Sequence, residues 1–207
     1  MKYPISIQTF EKIIKDNYVY VDKTDLVYDL VQEHVCFLSR PRRFGKSLLI
    51  STLDAYFQGK KELFEGLKIA DLEKEWAEYP VFRIDFAVGN YSKEGELENI
   101  LDKKISDWEK LYGKSEIANS LGLRFAYVIT KAEEITGHKV VVLIDEYDKP
   151  LLDPLGEEQE IVKLSYAGYK GVEIAKIMGC SRQNVSARQK RIHSFAKRQL
   201  WKEMMAD

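Results

Sequence analysis

Phe37-Leu38-Ser39-Arg40-Pro41-Arg42-Arg43-Phe44-Gly45-Lys46-Ser47 is the stretch around which the chain is read. Val35-Cys36-Phe37-Leu38-Ser39 enters it as a short apolar run of buried-strand type. From Lys46, Leu48, Leu49, Leu53, Tyr56 and Phe57 recur at helical spacing until Gln58-Gly59 stops the pattern. A loop between a strand and a helix aims the helix's free N–H groups and macrodipole at whatever sits there, which makes an anion site. The loop ends in Gly-Lys-Ser, the tail of the phosphate-binding pattern G-x-x-x-x-G-K-[ST], with Arg40 where the first Gly is expected. In that pattern Gly45 lets the backbone approach phosphates, Lys46 reaches the β- and γ-phosphates, and Ser47 Oγ helps hold Mg²⁺. Arg42, Arg43 and Phe44 complete the candidate nucleotide-binding set, although the two arginines could instead face solvent or a partner.

Downstream, Pro80-Val81-Phe82-Arg83-Ile84-Asp85-Phe86-Ala87 reads as a second strand, closed by Gly89-Asn90. Two helical patterns follow. One places Leu97, Ile100, Leu101, Ile105, Trp108 and Leu111 on a face; the other runs from Leu121 to Ile135 and ends at Gly137. Val140-Val141-Val142-Leu143-Ile144 is then a continuous run of the kind found in parallel strands buried on both faces. Strands alternating with helices predict an α/β architecture. Asp145-Glu146 ends the third strand in the arrangement of a Walker B motif: Asp145 to hold Mg²⁺, Glu146 as the catalytic base that polarises an attacking water. Taken alone, the two carboxylates are better explained as a polar strand exit; their pairing with Gly45-Lys46-Ser47 favours nucleotide chemistry. Asp85 ends the other strand and could lie near the site, although a cap on its own turn fits it better.

Before the loop, Phe10, Ile13 and Ile14 suggest a short helix, and Tyr18-Val19-Tyr20-Val21 a strand. Tyr18 and Tyr20 fit ordinary packing better than stacking on an adenine. Asp22-Lys23-Thr24-Asp25 offers an N-cap for a helix through Leu26, Leu30 and Val31. Residues 62–67 and 71–76 are predicted helical.

Three separated blocks in order, Tyr18-Val19-Tyr20-Val21-Asp22-Lys23-Thr24, Leu38 to Ser47, and Leu143-Ile144-Asp145-Glu146-Tyr147-Asp148-Lys149-Pro150-Leu151, resemble the AAA-ATPase-like family of bacteria over residues 4–153. In that family Arg-Pro-Arg-Arg-Phe-Gly-Lys-Ser is the usual loop, so Arg40 is a family habit. The resemblance implies an ATP- and Mg²⁺-binding P-loop NTPase domain of the additional-strand class, a three-layer α/β/α fold. It also implies two more strands after Asp145, which the sequence does not show. The expectation is therefore a domain over residues 1–153, truncated after the Walker B strand, with hydrolysis doubtful.

Residues 157–207 change in texture and read as helices at 158–166, 171–178 and 181–201. Glu173 to Val185 has helix-turn-helix spacing: Ala175 small at a crossing, Gly179 in the turn, Ser181 as cap, Val185 facing inward. Ile161, Leu164, Ile174, Ile177, Val185 and Ile192 would form a small all-α core. Arg182, Gln183, Asn184, Ser186 and Arg188 then face outward as candidate base readers in duplex DNA, with Lys190, Arg191, Lys197 and Arg198 for phosphates. Residues 157–195 resemble the helix-turn-helix of sigma-factor region four, which implies DNA binding. The alternative is a helical hairpin with a solvated or protein-binding basic face. The junction near residues 153–156 suggests a fusion.

Charge follows the same division. From Glu157 onward there are ten Lys/Arg against six Asp/Glu, a net of +4; the remainder carries 22 against 27, a net of −5. Residues 181–202 hold seven basic residues and no acidic one. With 45% hydrophobic and 31% charged residues, the composition is that of an ordinary globular protein. Cys36 and Cys180 form no disulfide framework or metal cluster, and His34, His138 and His193 are scattered. The start lacks a signal-peptide pattern and no apolar run approaches the ~20 residues of a membrane span, so a reduced cytoplasmic setting is expected.

Overall fold

The computed structural model describes residues 2–38, 44–93, 95–153 and 158–204, the side chains of Leu151 and of residues 195–204 aside. The chain forms two compact units, residues 1–88 with 98–147, and residues 89–97 with 148–207.

In the first unit a parallel pair, β1 (Val81–Asp85) and β2 (Val141–Asp145), is in register from Val81↔Val141 to Asp85↔Asp145. Alternation along β1 sends Phe82 and Ile84 to one face and Val81 and Arg83 to the other. Phe82 stacks on Trp108 of α5 (Glu96–Tyr112), with ring centroids 4.3 Å apart, and meets Phe125 of α6 (Leu121–Thr136). Fully burying such a ring contributes about 1.5–3 kcal/mol. The opposite face packs Leu143, Val81 and Val141 against Leu53 and its neighbours on α3 (Lys46–Phe57). Arg83 reaches Asp54 of α3 at 3.3 Å. Helices thus pack against both faces of β1, α5 and α6 on one and α3 on the other.

α5 and α6 are clamped together. The Arg124 guanidinium donates to both oxygens of Glu109, at 2.9 and 2.7 Å, to Ser106 Oγ at 3.0 Å, and to Asp102. α6 begins with Ser120 accepting the N–H of Leu123 and ends at Gly137, whose φ of +71° gives the left-handed cap that glycine adopts at little cost.

The expected cap at Asp22 to Asp25 does more than start α2 (Thr24–Leu30). Asp22 accepts the N–H and hydroxyl of Thr24 and, from far along the chain, the N–H of Lys68; buried Thr24 Oγ1 accepts the N–H of Ile69. These bonds fix the first turn of α4 (Ile69–Leu72) beside α2. Burial pushes the Asp22 carboxyl up, but the N–H groups of Thr24 and Lys68 pull it below its ordinary value. α1 (Phe10–Lys15) is tied to α3 where Phe10 N–H donates to Ser51 Oγ at 2.9 Å.

Several expectations are corrected. Residues 35–38 are not a strand: Val35 is 90% and Phe37 70% exposed, and no ladder joins them to β2. A short apolar run states its preference but not its pairing partner. The described sheet accordingly has two strands instead of three. β2 is not buried on both faces either, since Val142 and Ile144 remain 39% and 43% exposed. Tyr18 makes only an isolated bridge to Lys2, and Tyr20 packs edge-on against Phe10, so residues 18–21 are packing and not a strand. Residues 73–76 leave the helix after Leu72, because Glu73 turns its carboxylate onto the N–H groups of Lys74 and Glu75. Residues 61–64 form a 3₁₀ turn.

In the second unit, α8 (Gln159–Tyr166), α9 (Gly171–Ile177) and α10 (Arg182–Met204) bury Ile161, Ile174, Ala175 and Val185 between them, with Leu164, Met178, Cys180 and Ile192 packed around. Gly179 turns the chain with φ +63°, and Ser181 Oγ accepts the N–H of Asn184 at 3.1 Å. Ile177 is 54% exposed and not part of that core. Lys149, in α7 (Lys149–Leu152), donates to Gly89 O at 2.6 Å, pairs with Asp153 at 2.9 Å and lies over the Tyr91 ring. No described helix is long and apolar enough to cross a membrane.

Candidate functional site

α3 starts at Lys46 because Gly45 holds φ +75°, a left-handed conformation that an L side chain resists by about 1–2 kcal/mol. Space is not the constraint, since nothing lies within 4 Å of a Cβ built on Gly45. Ser47 follows in the first turn, half-buried, and Phe44 is exposed. Arg42 and Arg43 lie outside the described residues.

A cleft of about 520 Å³ runs between α3 and β2. Lys46, Asp145 and Glu146, a hundred positions apart in sequence, all line it. Ser47, Gly45 and Phe44 are not among its lining residues. Asp145 is 4% exposed and its Oδ1 accepts the N–H of Glu146 at 3.0 Å. Glu146 itself has φ +51°, a strained backbone for a residue with a side chain. Such strain persists only where surroundings over-determine it, and it concentrates at functional sites. The neighbouring carboxylate Asp85 turns its Oδ1 onto the N–H of Ala87 at 2.8 Å, capping its own turn.

Two features of the cleft escape sequence reasoning. Cys36, Phe37 and Leu38 form one wall while unpaired with β2, and Phe37 meets Tyr147 with ring centroids 5.0 Å apart. The signal for the second was present, because Tyr147 directly follows the carboxylate pair in its motif block. His34, Glu33 and Lys139 also line the cleft, although among the described residues no group of three or more His, Cys, Asp or Glu is placed to hold a metal ion.

In the second unit, Arg182, Gln183, Asn184 and Ser186 are exposed around buried Val185, with Arg188 half-buried one turn on. Arg191 pairs with Glu158 at 3.0 Å, which takes one candidate phosphate contact into the fastening of α10 to α8.

With this geometry in view, the model of the AAA-ATPase-like family, described as predicted AAA-ATPase, matches residues 4–171. The chain belongs to the AAA-ATPase-like family. The match takes in the Gly45-Lys46-Ser47 stretch and the Asp145-Glu146 pair, and runs through α8 to the first residue of α9. The AAA-ATPase-like chain is also similar to the "uncharacterized protein in vnfD 5′ region" of Azotobacter chroococcum mcd 1, 43% identical over 157 residues, which cover 74% of this chain and 30% of that protein. The chain therefore spans about a third of the length of that curated relative or less. No solved structure matches it.

Proposed function

We propose that this AAA-ATPase-like chain binds ATP with Mg²⁺ in the cleft between α3 and β2. The observation that carries the reading is that Lys46, at the N-terminus of α3, and the Asp145-Glu146 pair, at the C-terminal end of β2, line one cleft. Free N–H groups at the start of α3, the Lys46 ammonium and the left-handed Gly45 suit a triphosphate, and Arg42, Arg43, Phe44 and Ser47 complete the binding set. The donor chemistry suits Mg²⁺, which prefers hydroxyl and carboxylate oxygens and retains several waters. Asp145, which lines the cleft, would hold it together with Ser47, which sits in the first turn of α3 but outside the cleft's lining, and a carboxylate as buried as Asp145 gains from a cationic partner. The ion would neutralise phosphate charge. Glu146 would orient a water as general base. Among the described residues no strand follows β2 to bring another polar group beside Lys46, so binding is the primary activity and hydrolysis weak. Saturating ATP–Mg²⁺ should stabilise the chain, by about 2.7 kcal/mol at one hundred times Kd. An unchanged melting temperature, or the same rise in Lys46→Ala, contradicts the reading.

A second reading concerns residues 157–207, taken as a helix-turn-helix module that binds duplex DNA. It is supported by buried Val185, the turn at Gly179 and the outward row Arg182, Gln183, Asn184, Ser186 and Arg188 on a segment with no acidic residue from 181 to 202. Such a surface reads base edges from α10 while its lysines meet phosphates. Duplex binding that survives Arg182→Ala and Arg188→Ala unchanged contradicts it.

A further inference from the structure

Ahead of β1 and β2, at the end away from Asp145, lies a second cavity of about 410 Å³, lined by Glu78, Tyr79, Pro80, Tyr112, Thr136 and His138. Its side chains favour positive charge. Two tyrosine rings and an imidazole contribute π faces, which are electron-rich. Tyr112 and Thr136 are the last residues of α5 and α6, the end at which a helix carries its partial negative charge. Glu78 adds a full negative charge, and its carboxylate has no hydrogen-bond or ion-pair partner among the described residues. No lysine or arginine stands among the described residues that line the cavity.

The walls are held in place from behind. Tyr79 donates its N–H to Phe57 O at 2.7 Å and meets the Phe57 ring edge-on. Its own ring lies against His138, with centroids 5.1 Å apart, and Thr136 Oγ1 accepts the N–H of His138 at 3.3 Å. Tyr112 packs on Phe82 with centroids 5.8 Å apart. Glu78 crosses Gly59, where an added Cβ would stand 2.7 Å from Glu78 Cγ. Rings fixed beforehand lose little freedom when a ligand arrives.

We infer that this cavity binds a small organic cation of the quaternary ammonium type, set against the rings of Tyr79, Tyr112 and His138 and opposite Glu78. A quaternary ammonium has no N–H to satisfy, so aromatic faces alone can line it, and they attract its charge. A divalent metal ion would need several oxygen ligands, and Glu78 is the one carboxylate among the described residues of the lining. The site belongs to the first unit and stands independently of the nucleotide reading.

Calorimetry on the full chain with choline chloride tests this, beside 3,3-dimethyl-1-butanol, which has the same shape without the charge. Choline should bind at one site per chain, at least about fivefold more tightly than the neutral alcohol. Glycine betaine should bind more weakly than choline, because its own carboxylate meets Glu78. Glu78→Gln and Tyr112→Leu should each weaken choline about fivefold, and Tyr112→Phe, which keeps the ring, should not; thermal melting checks that each variant is folded. No binding of choline, or equal affinity for choline and the neutral alcohol, overturns the cation site. Undiminished binding in both Glu78→Gln and Tyr112→Leu places the cation elsewhere and also overturns it. Retention of the chain on phosphatidylcholine vesicles without binding of free choline overturns the small-molecule ligand in favour of a membrane headgroup.

Discussion

Asp85 and Asp145 are register partners at the C-terminal ends of the two parallel strands, yet they serve different ends. Asp85 spends its Oδ1 on the N–H of Ala87 and closes its own turn. Asp145 is buried, holds the N–H of the strained Glu146, and faces the cleft that Lys46 lines. Asp145→Asn should weaken ATP–Mg²⁺ binding about tenfold or more, ~1.4 kcal/mol, while leaving binding in EDTA nearly unchanged. Asp85→Asn should leave both within about threefold. Titrations in Mg²⁺ and in EDTA on the two variants decide the assignment; equal effects from both would remove Asp145 from the metal site.

Gly45→Ala probes the loop without crowding it, because a Cβ there meets nothing within 4 Å. The left-handed φ of +75° alone should cost about 1–2 kcal/mol, read as a lower urea midpoint. If that strain is relieved by moving the loop, ATP affinity falls as well. A variant as stable as the parent chain would show that the loop does not keep this conformation.

Much of this was legible in the sequence. The apolar spacing from Lys46 and the stop at Gln58-Gly59 announced the helix, and the observed α3 has those limits. Gly137 ends α6 where the helical pattern stops. Such boundaries are local chemistry, set by caps and backbone freedom. The strand expected at residues 35–39 does not form, because pairing is a relation between distant edges and Val35 to Leu38 carries only a preference. The same limit explains β2: a continuous apolar run announces burial on both faces, but whether both are covered depends on what other segments supply, and Val142 and Ile144 stay partly open. Within the site, the types of Lys46, Asp145 and Glu146 were readable. The left-handed turn at Glu146 and the Phe37–Tyr147 contact were not, since neither leaves a periodic trace.

The Arg124–Glu109 clamp has its own signature. Arg124→Leu leaves the nearly buried Glu109 carboxylate without its partner and should destabilise the chain by about 3 kcal/mol at neutral pH. Replacing both residues by leucine should regain most of that loss. Hydrogen bonding to Arg124 holds the Glu109 carboxyl below its ordinary value. Its contribution is therefore complete above the unfolded-state value, about 4.3, and is lost as pH falls through the lower folded value. Urea midpoints across that range should show a steeper acid decline in the parent chain than in the double variant; identical slopes would mean the clamp adds no pH-dependent stability.

The basic surface of α10 makes a salt prediction. If the second unit meets duplex DNA, log affinity should fall linearly with log salt, and Lys190→Ala should reduce that slope by about one without changing sequence preference. Arg182→Ala should alter preference more than slope. Ile174→Ala, at a fully buried position of the three-helix core, should cost about 2–4 kcal/mol and abolish binding. Fluorescence anisotropy with a labelled duplex over a salt series reads all three, and a salt-independent signal would contradict DNA binding.

The proposed triphosphate site lies between Lys46 and Asp145. Isothermal titration of the full chain with ATP in Mg²⁺ tests it most directly. Saturable binding at one site per chain, weakened at least about tenfold by Lys46→Ala, is the predicted result. No heat of binding, or equal affinity in the parent chain and Lys46→Ala, would contradict it.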